Sequence, residues 1–250
     1  MAYTKTLKLA FLAFQIMKMN KEKITLVLLP GLNGTAGLFD PLLSVIADGC
    51  EWMVIDYPTH EVKSYAELTE FVLDRISSIH GAFILLGESF SGPIAIMLSA
   101  KNIPGHIGTI LVASFASAPY FSVTKYLPWG VIYRLARPLY FLRIKLSKAK
   151  NASLLSAASV EMQKVEPNVL AARTRAALSI DVTGELKTIK IPMIYFRANY
   201  DFIVPIWNMK KIIALKPDIK IIYFDTQHFL LQSVPHAAWK SISKFIHEIR

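Results

Sequence analysis

Cysteine is almost missing from this chain. Cys50 stands alone, which rules out an internal disulfide framework and leaves no Cys/His spacing of the kind that holds zinc. Stability has to come from packing. Cys50 is followed by no small-residue turn and precedes the strand-like run Trp52 to Ile55, so a structural role fits it better than that of a nucleophile. Long apolar runs are missing too. The mean hydropathy of +0.39 is high, yet no run approaches the roughly 20 apolar residues that a membrane-spanning helix needs. The nearest candidate, Leu7 to Met19, is interrupted by Lys8 and Gln15 and followed by Lys18, Lys21 and Lys23. Three readings compete for it: a leading strand that extends the sheet, which is preferred, an amphipathic anchor, and a signal peptide without a small-x-small cleavage site. Met17 and Met19 are alternative translation starts, because Asn20 to Lys23 lead directly into the first clear strand. With no disulfide and no convincing signal, a cytoplasmic location is expected.

Acidic residues are scarce in one place. Against a formal net charge of +10, no Asp or Glu falls between Glu88 and Glu161, whereas Lys125, Arg134, Arg137, Arg143, Lys145, Lys148 and Lys150 do, together with Trp129, Tyr133, Tyr140 and Phe141. Basic and aromatic residues in company can mark nucleic-acid binding, but no helix-turn-helix, RNA-binding or zinc-finger signature accompanies them, so no nucleic-acid partner is expected. A lid with a solvated basic face is the plainer reading. A surface that meets anionic lipid, as a peripheral membrane contact, is the sharper one.

What is present is alternation. From Ile24 onward, short apolar runs alternate with longer amphipathic ones, the signature of βα units around a mostly parallel sheet flanked by helices. Strands are expected at Ile24 to Leu29, Trp52 to Ile55, Phe83 to Leu86, Thr109 to Ala113, Met193 to Arg197 and Lys220 to Phe224. Each is nearly continuous in apolar residues, as strands covered on both faces are. Helices are expected at Asp40 to Ala47, Tyr65 to Ser78, Ser89 to Lys101, Pro205 to Leu215 and Pro235 to Ile249. Ser64 and Glu67 form a capping-box pattern, and Pro205 and Pro235 suit a first helical turn. At this length one domain is expected. Its core takes residues 20–115 and 188–250, with a helical cap inserted over 116–187, where strand-like runs vanish and Pro119, Pro128, Pro138 and Pro167 punctuate. Residues 1–19 are an apolar segment apart from both.

Residues 87 to 92 read Gly-Glu-Ser-Phe-Ser-Gly between an apolar run and a helix-like stretch, the arrangement that exposes a serine on a strand-to-helix turn. Small residues at Gly87 and Ser91 allow the backbones to pass closely. Ser89 is the candidate nucleophile. A serine hydroxyl is weak at neutral pH and needs a base, held in turn by a third group. His228, in the short loop after a late strand, is the candidate base. His80, His106, His236 and His247 sit where solvated or capping histidines are common, while Pro58-Thr59-His60 follows a strand and could line a pocket. Asp201, in a polar turn after Met193 to Arg197, is the candidate orienting acid. Asp181 lies in the insertion, and Asp225 is too near His228 in sequence and suits a loop cap. Backbone N–H groups of Leu32, in the glycine-rich turn Leu29-Pro30-Gly31-Leu32-Asn33-Gly34, and of Phe90 are candidates for an oxyanion hole. That turn lacks the Lys-Ser/Thr ending of a P-loop and the G-x-G-x-x-G of a dinucleotide site.

Turn, elbow, acid and histidine in this order resemble the α/β-hydrolase superfamily, in a serine esterase-like form with a helical cap, from about Ile24 to the C-terminus. Pro30 stands where the family's oxyanion turn often has histidine, Ser91 replaces the elbow's last glycine, and Gln227 stands where a glycine often precedes the histidine. The resemblance implies a serine hydrolase without cofactor or metal: Ser89 attacks an acyl carbonyl, His228 shuttles the proton, Asp201 steadies the imidazolium, and water releases the acyl-enzyme. Small-molecule carboxylic esters with an apolar acyl or alcohol group are the expected substrates. A thioester would use the same machinery, and a ligand-binding or membrane-surface role on the same fold stays open.

Overall fold

In a computed structural model of the chain, residues 24–47, 50–135 and 152–250 are described. The segment Leu7 to Met19, the alternative starts and the basic residues Arg137, Arg143, Lys145, Lys148 and Lys150 lie outside them.

Six strands form one parallel sheet: β1 (Ile24–Leu29), β2 (Cys50–Val54), β3 (Phe83–Glu88), β4 (His106–Val112), β5 (Met193–Ala198) and β6 (Lys220–Phe224), in spatial order β2-β1-β3-β4-β5-β6. β1, β3 and β5 are buried along their whole length, while the edge strands β2 and β6 are partly exposed. Within the apolar runs the side chains still alternate between faces, as the pleat requires. Val27, Leu29, Leu85, Leu111 and Tyr195 pack on one side against α1 (Tyr65–Ile76), α2 (Gly92–Ala100) and later helices. Leu26, Leu28, Ile84, Leu86, Ile110, Val112, Ile194 and Phe196 pack on the other, under the last helix. Burying one such side chain stabilises by about 1.5–3 kcal/mol.

Residues 129–135 are helical, and the helices α3 (Ala152–Gln163), α4 (Pro167–Ala177) and α5 (Thr183–Thr188) also lie in the insert between β4 and β5. They are followed by α6 (Ile206–Leu215) and α7 (Pro235–Glu248). Ser64 caps α1 as its sequence suggests: its hydroxyl accepts from Glu67 N, and the Glu67 carboxylate accepts from Ser64 N at 2.7 Å.

Local chemistry explains where boundaries differ from expectation. The helix expected over Asp40 to Ala47 is a 3-10 turn, Ala36–Phe39, followed by one α-turn, Asp40–Leu43. Ser44 Oγ donates to Pro41 O at 2.8 Å, offering the backbone a local alternative to continuation. The α2 helix starts at Gly92 rather than Ser89, because Ser89 has φ of +50°. Pro205 caps α6 from outside, whereas Pro235 does stand in the first turn of α7. Cys50 opens β2 rather than preceding it.

The order of strands reverses at β1. β2 lies on one side of it and β3 on the other, so the loops leaving β1 and β3 open onto a crevice at the carboxyl edge, the place where open α/β sheets receive ligands.

Candidate active site

β3 ends at Glu88 and α2 begins at Gly92, leaving three residues in a 3-10 turn to reverse the chain. Ser89 takes the left-handed conformation at φ +50°, which costs a non-glycine residue of the order of 1–2 kcal/mol. The neighbours make this possible. A Cβ at Gly87 would stand 2.8 Å from Ser91 O and 2.9 Å from Ala95 Cβ, and one at Gly92 would run into Ser114 Oγ. Ser114 Oγ in turn donates to Ser89 O at 2.6 Å.

His228 lies in the loop after β6, and its ring joins the other two candidates. Nδ1 is 2.8 Å from Asp201 Oδ2, and Nε2 is 2.9 Å from Ser89 Oγ. A carboxylate can only accept, so Nδ1 carries the proton and Nε2 turns its lone pair to the serine hydroxyl. Asp201 is held from below. Its Oδ1 accepts from the N–H groups of Ile203 at 2.8 Å and Val204 at 2.9 Å, while the buried Arg197 donates to Val204 O at 2.7 Å. The Asp201 side chain is fully buried and His228 nearly so.

The turn after β1 abuts the serine: a Cβ on Gly31 would be 3.9 Å from Ser89 Cβ. Gly34, at φ +71°, donates to Gly31 O at 3.0 Å. Because the peptide is trans, tying that carbonyl into the turn directs the Leu32 N–H to the opposite side. Two apolar chambers meet here. One, of about 390 Å³, is lined by His228, Phe229, Glu88, Ile132 and Met162. The other, of about 330 Å³, is lined by Phe90, Phe115, Tyr120, Leu127 and Trp129. Leu32, Ser89, Tyr133 and Ile203 border both.

Residues 26–239 match the model of the alpha/beta hydrolase family. The chain belongs to that family. No curated protein matches the sequence. Among solved structures, this family member is similar to a carboxylesterase of the thaumarchaeon Nitrososphaera gargenis, with 13% identity over 91% of each chain and a TM-score of 0.77. It is also similar to the enol-lactonase of Burkholderia xenovorans LB400, with 15% identity over 90% of this chain and 92% of that one at a TM-score of 0.76. A third is the esterase RhEst1 of Rhodococcus sp. ECU1013, with 18% identity over 92% and 93% and a TM-score of 0.71. At such identities the likeness shows the fold.

The remaining candidates stand apart from the hydrolase family's crevice. His60 is exposed, 3.1 Å from Glu166, and borders a separate cavity with Arg75 and Lys164. His80, His236 and His247 are exposed. His106 is neither solvated nor a cap: it opens β4, buried and stacked on Phe83 at 5.0 Å, and burial pushes its pKa down to about 4. Asp181 accepts from the Thr183 N–H and hydroxyl, and Asp225 from Asn199 at 2.5 Å.

Sequence context does not reveal the contacts that several residues of the site make. Ser91, where the family often has glycine, is fully buried; its hydroxyl donates to Pro30 O and stands 2.6 Å from the Tyr57 hydroxyl. Burial raises the Tyr57 pKa, so that phenol keeps its proton to donate. Glu88, next to the nucleophile, is buried with Gln232 donating at 3.0 Å; burial raises its pKa, against the opposing effects of Gln232 and His228.

Proposed function

We propose that the chain is a serine hydrolase that cleaves carboxylic esters through an acyl-enzyme intermediate. The reading rests on one observation above others, the placement of His228 between Ser89 and Asp201 at 2.9 and 2.8 Å. Ser89 Oγ adds to the acyl carbonyl as its proton passes to His228 Nε2. The Leu32 and Phe90 N–H groups take up the developing oxyanion, and Asp201 holds the imidazolium. His228 returns the proton to the leaving alcohol. Water then repeats the sequence on the acyl-enzyme.

The chambers support an apolar substrate on both sides of the scissile bond. A leaving oxygen has to lie within reach of His228 Nε2, so the alcohol half belongs in the chamber that His228 lines, and the acyl half in the one beyond Phe90. The described residues of the segment 116–187 line parts of both chambers and serve as a cap. A thioester fits the same machinery.

A peripheral membrane contact is a second reading. Phe121 and Phe202, next in sequence to the chamber-lining Tyr120 and Ile203, are 84% and 80% exposed, and Lys125 lies over the exposed Tyr126 ring. Among the described residues no helix is long and apolar enough to cross a membrane.

The test is hydrolysis of p-nitrophenyl esters from acetate to palmitate by the wild type and Ser89→Ala. Activity confined to the wild type supports the reading, and equal activity in both removes Ser89 as nucleophile. Sedimentation with anionic and neutral vesicles decides the membrane reading. Binding that ignores lipid charge, or no binding, contradicts it.

A further inference from the structure

Arg173 projects from α4 in the insert and is 2% exposed. Among the described residues, its partners are three carbonyl oxygens and an aromatic ring. Nη1 donates to Leu32 O at 3.0 Å and Asn33 O at 2.8 Å, Nη2 donates to Pro58 O at 2.9 Å, and the guanidinium sits 5.6 Å from the Tyr57 ring centroid. A cation buried without a carboxylate is costly to keep, so what it holds in place matters.

What it holds is the turn that carries the Leu32 N–H. Four consecutive carbonyls there are each tied down: Pro30 O by Ser91, Gly31 O by the Gly34 N–H, and Leu32 O and Asn33 O by Arg173. Each peptide is planar, so fixing a carbonyl fixes the N–H on the same plane. The plane that bears the Leu32 N–H is flanked by one anchored from the elbow and one anchored by Arg173. Gly34 completes the arrangement, because a Cβ there would overlap the guanidinium. The insert grips the same loop again. Buried Glu161 on α3 accepts from Thr35 Oγ at 2.6 Å, and Thr35 Oγ accepts from Asn33 Nδ2 at 2.7 Å.

We propose that Arg173 is a positioning residue for the oxyanion turn, so that the Leu32 donor is held in place only while the insert is seated on the sheet. The inference rests on the hydrolase reading for its catalytic consequence, but not for the structural one. Burial pushes the guanidinium pKa down to about 10, so it stays charged at neutral pH.

Two readouts test it in Arg173→Met: ester kinetics and backbone deuterium exchange resolved by segment. A donor displaced by an ångström costs about 10²-fold in rate, so kcat is expected to fall by that factor while KM stays within about threefold. Exchange across residues 30–35 is expected to quicken by about tenfold or more, with β3 and β5 at wild-type rates. Arg173→Lys keeps the charge without the planar fork; it is expected to stay folded and recover only part of the lost kcat, and it takes over the test if the methionine variant does not fold. Unchanged exchange at 30–35 overturns the proposal. So does quickened exchange throughout the sheet, or a rate loss that appears only in KM, since either marks a merely structural arginine. A wild type that hydrolyses no ester, beside local loosening in the variant, leaves the positioning role standing and sinks the hydrolase reading instead.

Discussion

Ser89 and Asp201 follow strands that are buried along their whole length, β3 and β5, and His228 joins them from the loop after β6; the insert supplies Tyr133 and Met162 to the chamber lining and Arg173 and Glu161 to the turn after β1. The first group is placed by the sheet itself, where register leaves little freedom. The second reaches the site through side chains alone, across more than a hundred residues of sequence in the case of Arg173 and Glu161. On the proposed reading, the bond-making groups thus follow strands of the sheet, while the groups that shape the substrate's space and steady the turn after β1 come from the insert.

The comparison predicts the largest effect on the sheet side. Asp201→Asn keeps the shape but favours the wrong His228 tautomer, and kcat on p-nitrophenyl esters is expected to fall by about 10⁴-fold. A loss below tenfold would mean that Asp201 does not orient the imidazole. On the insert side, effects should be selective instead. Leu127→Trp narrows the Phe90-side chamber and Met162→Trp the His228-side one. Over a matrix of esters varied in each half, the first is expected to penalise long acyl groups and the second long alcohols, each by about 10–200-fold in kcat/KM. The reverse pattern would exchange the two chambers.

A smaller effect lies away from both walls. The buried His106 has its pKa lowered by burial to about 4 from an ordinary 6.5. A group depressed in the folded state binds its proton more readily when unfolded, so stability is full above pH 6.5 and declines as pH falls through 6.5 towards 4. The loss is on the order of 3 kcal/mol. His106→Phe, which preserves stacking on Phe83, is expected to flatten that limb of stability against pH in urea titrations. A slope the same as that of the wild type would assign the acid limb to other groups.

The sequence made the sheet side legible and the insert side not. The inner strands announce themselves because burial on both faces demands continuous apolar runs, and Ile24–Leu29 matches its expected bounds residue for residue, as does the partly exposed edge strand Lys220–Phe224. Ser89, Asp201 and His228 are recognisable because each follows such a run in a polar or glycine-rich turn. Arg173 has no such context: in its own helix it reads as one more basic residue, and only the fold reveals that its guanidinium fills the space left by Gly34. Ser91 reads as a tolerated replacement for glycine, yet its hydroxyl links the elbow to Pro30 and Tyr57. Helix starts differ from expectation where a single dihedral or cap decides them, at Ser89 and at Pro205.

The most direct test of the central claim is covalent labelling with an alkyl fluorophosphonate, read by mass spectrometry of the intact protein and its peptides. The account predicts one adduct per chain, carried by Ser89, formed by the wild type and absent from Ser89→Ala. Labelling of another residue, or of none in folded protein that still hydrolyses esters, would contradict a Ser89 acyl-enzyme.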